Sequence, residues 1–255
     1  VGIRRARLTF RDLEFRPAVL HDVSDVDLTS TPLGRPAAVP FGFAPTGFTR
    51  MMHAAGERAV AAVAARRGIP YSLSTMGTTS AADVSAAGPG GRHWFQLYVW
   101  RDRGAAEDLI AQAREANFEA LMLTVDVPVA GARHRDARNG LTIPPSLSLG
   151  TMADMALHPA WWLDLLTTEP LRFAALDEWP GTVGDLLDAL FDPSMTLDDL
   201  DWIRSVWDGP LVVKGVQTVE DAGRVERGVL GVALGQQCAV SRADDLVGKA
   251  HPDRR

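Results

Sequence analysis

The sequence predicts an α/β fold built on a parallel sheet, either doubly wound or closed into a barrel. Three observations carry this. Short apolar segments alternate with alanine-rich or amphipathic segments of helical period along much of the chain. One of them, residues 120–127 (A-L-M-L-T-V-D-V), is an apolar run bounded by Pro128 and Gly131, the pattern of a strand buried on both faces. Each apolar segment also runs into polar or cationic groups at its C-terminal end, where ligands bind in parallel α/β folds.

Composition sets the frame. The 255 residues are 46% hydrophobic and 23% charged, which suits one globular domain with a sizeable core and excludes a disordered chain. The formal charge of -6 is spread over mixed-sign sequence without a long basic run, which argues against nucleic acid as a partner. Cys238 is the sole cysteine, so it cannot form an internal disulfide, and it has no Cys/His spacing for a metal; it reads as a small buried hydrophobe. With no signal peptide and no membrane-length apolar run, the chain reads as cytoplasmic. It begins with valine, which reads as an unusual start codon, processing, or an incomplete N-terminus.

The elements follow in order. Residues 3–30 read as polar and irregular, with a short edge hairpin from the alternation over 19–28, and Pro32-Leu33-Gly34 as a turn. Residues 37–44 are a strand candidate ending in Pro45-Thr46-Gly47, and 53–67 an alanine-rich helix closed by Gly68 as C-cap. A strand over 69–75 precedes a short helix over 80–87, opened by Ser80-x-x-Asp83 as a capping box. A strand over 93–99, an amphipathic helix over 105–116 with Leu109, Ile110 and Ala113 on its apolar face, and the strand at 120 come next. The rhythm breaks at a Pro- and Trp-rich insertion, 128–195, which reads as a lid at the ligand-binding end. A helix over 196–205 capped by Thr196 and Asp199, a strand over 211–214, a helix over 218–227 and a last strand candidate over 229–234 make about six strands in all. The whole reads as one domain over 1–255, with an atypical tail at 232–255.

The strand ends supply Thr46, Ser74, Thr75, Gln96, Tyr98, Thr124, Asp126 and Lys214. Amide, hydroxyl and ammonium groups around one mouth suit a planar heterocycle that needs hydrogen bonds along its edge and a cation near developing negative charge. The segments A-P-T-G-F-T-R-M-M-H (44–53), S-L-S-T-M (72–76), W-F-Q-L-Y (94–98), L-T-V-D-V-P-V-A-G-A-R (123–133) and L-V-V-K-G-V-Q-T (211–218) occur in this order. Together they resemble the FMN-dependent 2-hydroxy acid dehydrogenases, the quinone-linked L-lactate dehydrogenases among them; the insertion pieces W-W-L-D-L-L-T-T-E-P and E-W-P-G-T-V-G match as well.

The resemblance implies a TIM-type (β/α)8 barrel, here incomplete, with FMN as cofactor and a small 2-hydroxy acid as substrate. It places the Pro45-Thr46-Gly47 backbone against the flavin, Ser74, Gln96 and Thr124 on its pyrimidine edge, and Lys214 at its N1/O2 side. Tyr98 and Arg133 would bind the substrate, Arg133 clamping its carboxylate. The Trp161-Trp162-Leu163-x-Leu165-Leu166 cluster makes the 128–195 insertion a candidate for peripheral contact with the inner face of the cell membrane or a quinone, and a homo-oligomer is a further expectation.

The family's histidine base belongs to a Ser-Asn-His-Gly-Gly-Arg-Gln motif that this sequence lacks. After Val225-Glu226-Arg227-Gly228 the chain continues V-L-G-V-A-L-G-Q-Q-C-A-V-S-R, so no catalytic residue is assigned among its six histidines. The Asp-Gly-Gly-x-Arg segment that helps hold the FMN phosphate in the family is absent too. The chain therefore reads as truncated at both ends or internally deleted near its C-terminus. Two readings follow: L-2-hydroxy acid oxidation, with L-lactate the leading substrate, or a catalytically inactive flavin or carboxylate binder. For turnover by these residues alone, the expectation is the second.

Overall fold

The computed structural model describes residues 2–129 apart from 13, 15 and 18, scattered positions between 131 and 168, and residues 191–231. Its centre is a four-stranded parallel sheet in the order β1-β2-β3-β4, made of Tyr71–Ser74, His93–Leu97, Ala120–Thr124 and Leu211–Lys214. Among the described residues sequence neighbours are sheet neighbours, without the reversal of order that marks a doubly wound sheet. Of the two architectures the sequence left open, the order therefore selects the barrel type.

Register separates the two faces of the sheet. Ser74 pairs with Gln96, Gln96 with Met122, and Thr124 with Lys214. Side chains alternate along a strand, so Ser72, Ser74, Trp94, Gln96, Met122, Thr124 and Lys214 share one face. Leu73, Phe95, Leu97, Leu121, Leu123 and Leu211 take the other, and all are buried in one hydrophobic cluster with residues of the helices. One face is thus a helix-covered core and the other carries polar chemistry.

The helices are the ones the sequence encodes, with adjusted ends. Helix α3, Gly56–Arg67, ends at Gly68, whose backbone is left-handed (φ 63°), following the short α2, Thr49–Met52. Helix α4, Ala81–Ala87, is capped by Ser80, whose hydroxyl accepts from the Asp83 N–H at 3.1 Å. Only half of the expected capping box forms, because the Asp83 carboxylate turns to Arg58, 3.1 Å away. Helix α5, Arg103–Glu115, starts earlier than its apolar stripe because Asp102 accepts from the N–H groups of Gly104 and Ala105. It buries Ala106, Leu109, Ile110 and Ala113. Helix α6, Asp198–Val206, is preceded by the expected exchange, Thr196 N–H to Asp199 and Asp198 N–H to Thr196. Thr218 caps α7, Val219–Gly231, by accepting from Asp221 N–H at 3.0 Å.

Four expectations are corrected. Gly2–Arg11 is a helix, α1, rather than irregular chain: Ile3, Ala6 and Phe10 recur at helical spacing, a signal masked by the arginines between them. No hairpin forms over 19–28; Asp22 and Asp27 accept from the N–H groups two residues on, which bends the chain locally in place of a strand ladder. Residues 37–44 reach the sheet through one bridge, Phe43 to Tyr71, with Pro36 and Pro40 lacking the N–H a longer ladder would need. The last strand candidate fails too, since α7 runs through Gly231; residues 232–234 and the tail lie outside the described residues. Four of the six expected strands are therefore present among the described residues.

Candidate functional site

The C-terminal ends of β1, β2 and β3 are tied together by one chain of buried side chains. Ser74 Oγ donates to Gln96 Oε1 (3.0 Å), and Gln96 Nε2 donates to Thr124 Oγ1 (3.0 Å). The Thr75 N–H donates to the same Gln96 oxygen at 3.3 Å, and the Met76 N–H to Ser74 Oγ at 3.1 Å. All three side chains are buried, Gln96 most of all at 2% exposure. A carboxamide carries two N–H hydrogens and a hydroxyl one. One hydrogen of Gln96 and that of Thr124 consequently have no acceptor shown among the described residues, and register puts both on the polar face.

Lys214 continues this row at the end of β4. It is half-exposed, with its ammonium 3.7 Å from Asp126. The backbone there is built for close approach: Gly215 has φ +106°, and a Cβ on it would lie 2.6 Å from the Asp126 Cβ. On the other flank, Gly47 of Pro45-Thr46-Gly47 sits so near Met76 that a Cβ would come within 2.8 Å of the Met76 Cβ. Phe48 N–H to Met76 O at 3.0 Å holds the two segments together. Thr46 is exposed and Pro45 half-buried beside this contact. Tyr98 follows β2, its N–H donating to Thr75 Oγ1 at 3.1 Å. A small cavity beside it is lined by Val99, Thr124, Val125, Phe191 and Met195.

The structure thus brings Ser74, Gln96, Thr124 and Lys214 onto one face, with Tyr98 past the end of β2 and the 45–47 loop beside β1. Arg133 lies outside the described residues, as does most of the insertion. Sequence reasoning missed a supporting layer. Glu57 is fully buried and accepts from Thr78 N–H (2.7 Å), Thr78 Oγ1 (2.9 Å) and Thr79 Oγ1 (2.9 Å). Thr78 Oγ1 in turn accepts from Arg50 N–H (3.1 Å), linking Glu57 to the segment after Gly47. Burial pushes the Glu57 carboxyl up, but the Thr78 backbone donor and the hydroxyls outweigh it and hold the group below its ordinary range. Its only signal in the sequence was a charge near a helix start.

The donor set fits FMN. Two unspent donors at the end of the row suit carbonyl oxygens of a flavin's pyrimidine edge, and the ammonium suits its anionic side.

Fold and site together define a barrel-type α/β protein with its ligand end at the strand C-termini. A profile of the family described as FMN-dependent dehydrogenase matches residues 1–236, and the chain belongs to this family, whose cofactor is FMN. It is 57% identical over 235 residues to a Mycobacterium tuberculosis protein provisionally named L-lactate dehydrogenase, covering 92% of this chain and 57% of the relative. To an L-lactate dehydrogenase of Caulobacter vibrioides it is 42% identical over 218 residues, covering 83% of this chain and 56% of the relative. Among solved structures it is similar to a monotopic membrane protein, (S)-mandelate dehydrogenase, with a TM-score of 0.82 and 32% identity over 89% of this chain and 61% of the other. The chain spans less than two thirds of the length of each.

Proposed function

We propose that this chain is the flavin-edge and acid-recognising portion of an FMN-dependent L-2-hydroxy acid dehydrogenase, with L-lactate as substrate. The observation that carries this is the Ser74–Gln96–Thr124 row, with two unspent donors on the face that also bears Lys214. When bound, FMN supplies the two-electron acceptor that turns a 2-hydroxy acid into a 2-oxo acid. Gln96 and Thr124 would hold its pyrimidine edge, and Pro45, Thr46 and Gly47 would offer backbone to its ring. Lys214 would keep a positive charge on the N1/O2 side, favouring the reduced, more anionic form. Tyr98 would meet a substrate oxygen and Arg133 the carboxylate.

The names of the L-lactate dehydrogenase relatives support the choice of substrate. The family's histidine motif is not among these 255 residues, so no proton acceptor is assigned here. Peripheral membrane or quinone contact through the insertion belongs to the same proposal, supported by the monotopic structural relative. No helix among the described residues is long and apolar enough to cross a membrane.

The test is direct. The purified chain is mixed with FMN, freed of excess cofactor, and given L-lactate without oxygen. Yellow protein is the expected result, and bleaching would place turnover within these residues as well. Yellow protein that keeps its colour would leave flavin binding without turnover, the inactive reading. Colourless protein would overturn the cofactor assignment to these residues.

A further inference from the structure

Phe191 lies near the end of the insertion and stands against Tyr98. Their rings are 5.2 Å apart at 78°, an edge-to-face contact, and both pack on the hydrophobic core. The next residue explains why Phe191 stays there. Asp192 Oδ2 is 2.8 Å from Arg103 Nη2, and its side chain is only 6% exposed. Its other oxygen accepts from Ser194 N–H (2.9 Å) and Ser194 Oγ (2.6 Å), which fixes the turn that follows.

Arg103 gathers three parts of the fold. The same Nη2 lies 2.8 Å from Asp199 of α6, Nη1 donates to Trp100 O at 2.6 Å, and the guanidinium lies 5.2 Å from the centre of the Trp202 ring. Trp100 follows Tyr98 by two residues. One cation thus couples the segment after β2, the returning end of the insertion, and α6.

We propose that Phe191 is a positioning residue that fixes the ring of Tyr98, and that Arg103 is the latch holding Phe191 in place through Asp192. That the fixed phenol then meets a 2-hydroxy acid rests on the function proposed above. A one-atom hydroxyl contact is sensitive to ring rotation, so a freed Tyr98 binds the acid more weakly without any loss of charge at the site.

The chain has two tyrosines, Tyr71 buried under the sheet and Tyr98 at the mouth, so labelling with 3-fluorotyrosine gives two fluorine resonances. Phe191→Leu, Arg103→Met and Asp192→Asn are each expected to move the Tyr98 line and leave the Tyr71 line unchanged. Tyr71 also reports folding: where Arg103→Met loses that line, Asp192→Asn decides the role of the latch. An unmoved Tyr98 line in Phe191→Leu, or equal movement of both lines, overturns the positioning role. A shift in Phe191→Leu without one in Asp192→Asn overturns the latch.

Pyruvate, the non-reacting 2-oxo acid, then separates the two ideas. With FMN present, it should shift the Tyr98 line of the native chain, with half-saturation raised about two- to tenfold in Phe191→Leu, the range of one aromatic pair. If pyruvate leaves the native line still while the substitutions move it, the positioning stands and the substrate reading is what fails.

Discussion

Removing the Glu57 carboxylate should loosen the whole flank that carries the Pro45-Thr46-Gly47 loop. Three buried donors converge on it, the Thr78 N–H and the hydroxyls of Thr78 and Thr79. In Glu57→Ala all three lose their acceptor, and the hydroxyls can rotate towards other partners while the N–H cannot. At about 1–3 kcal/mol for an orphaned buried group, partly offset by rotation of the hydroxyls, the loss should be about 3–5 kcal/mol, against roughly 5–15 kcal/mol for a typical domain.

Glu57→Gln is milder, because its amide oxygen can still take the Thr78 N–H while its NH2 donates to rotated hydroxyls. Replacing charge-assisted bonds by neutral ones should cost about 1–2 kcal/mol. The sign with pH follows from the lowered carboxyl. The ionised form contributes stability that is fully present above the unfolded value, near 4.5, and is lost as pH falls through the lower folded value. The gap between the native chain and Glu57→Gln should therefore shrink on acidification below about 4.5. Urea unfolding followed by tryptophan fluorescence, at neutral pH and down this range, measures both effects. Two variants within about 0.5 kcal/mol of the native chain, or a gap that does not change with pH, would refute the reasoning.

Gln96→Leu removes the central link of the polar row, its bonds to Ser74 and Thr124 together with its one unspent N–H, so FMN affinity should fall more than tenfold, measured by recovery of flavin fluorescence on dilution. Lys214→Met keeps the length of the side chain but removes its charge; bound FMN should become harder to reduce, seen as a more negative midpoint in an anaerobic redox titration. Buried His93, with Nε2 2.9 Å from Gly88 O, is held below its ordinary 6.5 chiefly by burial. Its ring should resist protonation in an NMR titration, and the stability it contributes, present above 6.5, should be lost as pH falls through its lower folded value. A midpoint at or above 6.5 would contradict this.

How far the sequence carried can be judged strand by strand. The apolar run at Ala120–Thr124 and the L-V-V-K segment at Leu211–Lys214 were legible because burial on a parallel sheet leaves a continuous hydrophobic signature with an abrupt polar end. Helix ends were legible where a cap is chemical, as at Gly68, Ser80 and Thr218. Residues 37–44 misled because β-propensity is local, while a ladder needs an N–H at every second position and prolines remove it.

What the sequence by itself determined is the inventory: which residues are polar at strand ends, and that these match one flavin-using family. Which of them share a face was decided by pairing register alone, since a slip of one residue would have turned Gln96 away from Thr124 and Lys214. The support of the site was decided by contacts distant in the chain, Glu57 with Thr78 and Arg103 with Asp192. Such pairs leave no periodic trace, because a single long-range ion pair or hydrogen bond fixes only its two ends and imposes no pattern on the residues between.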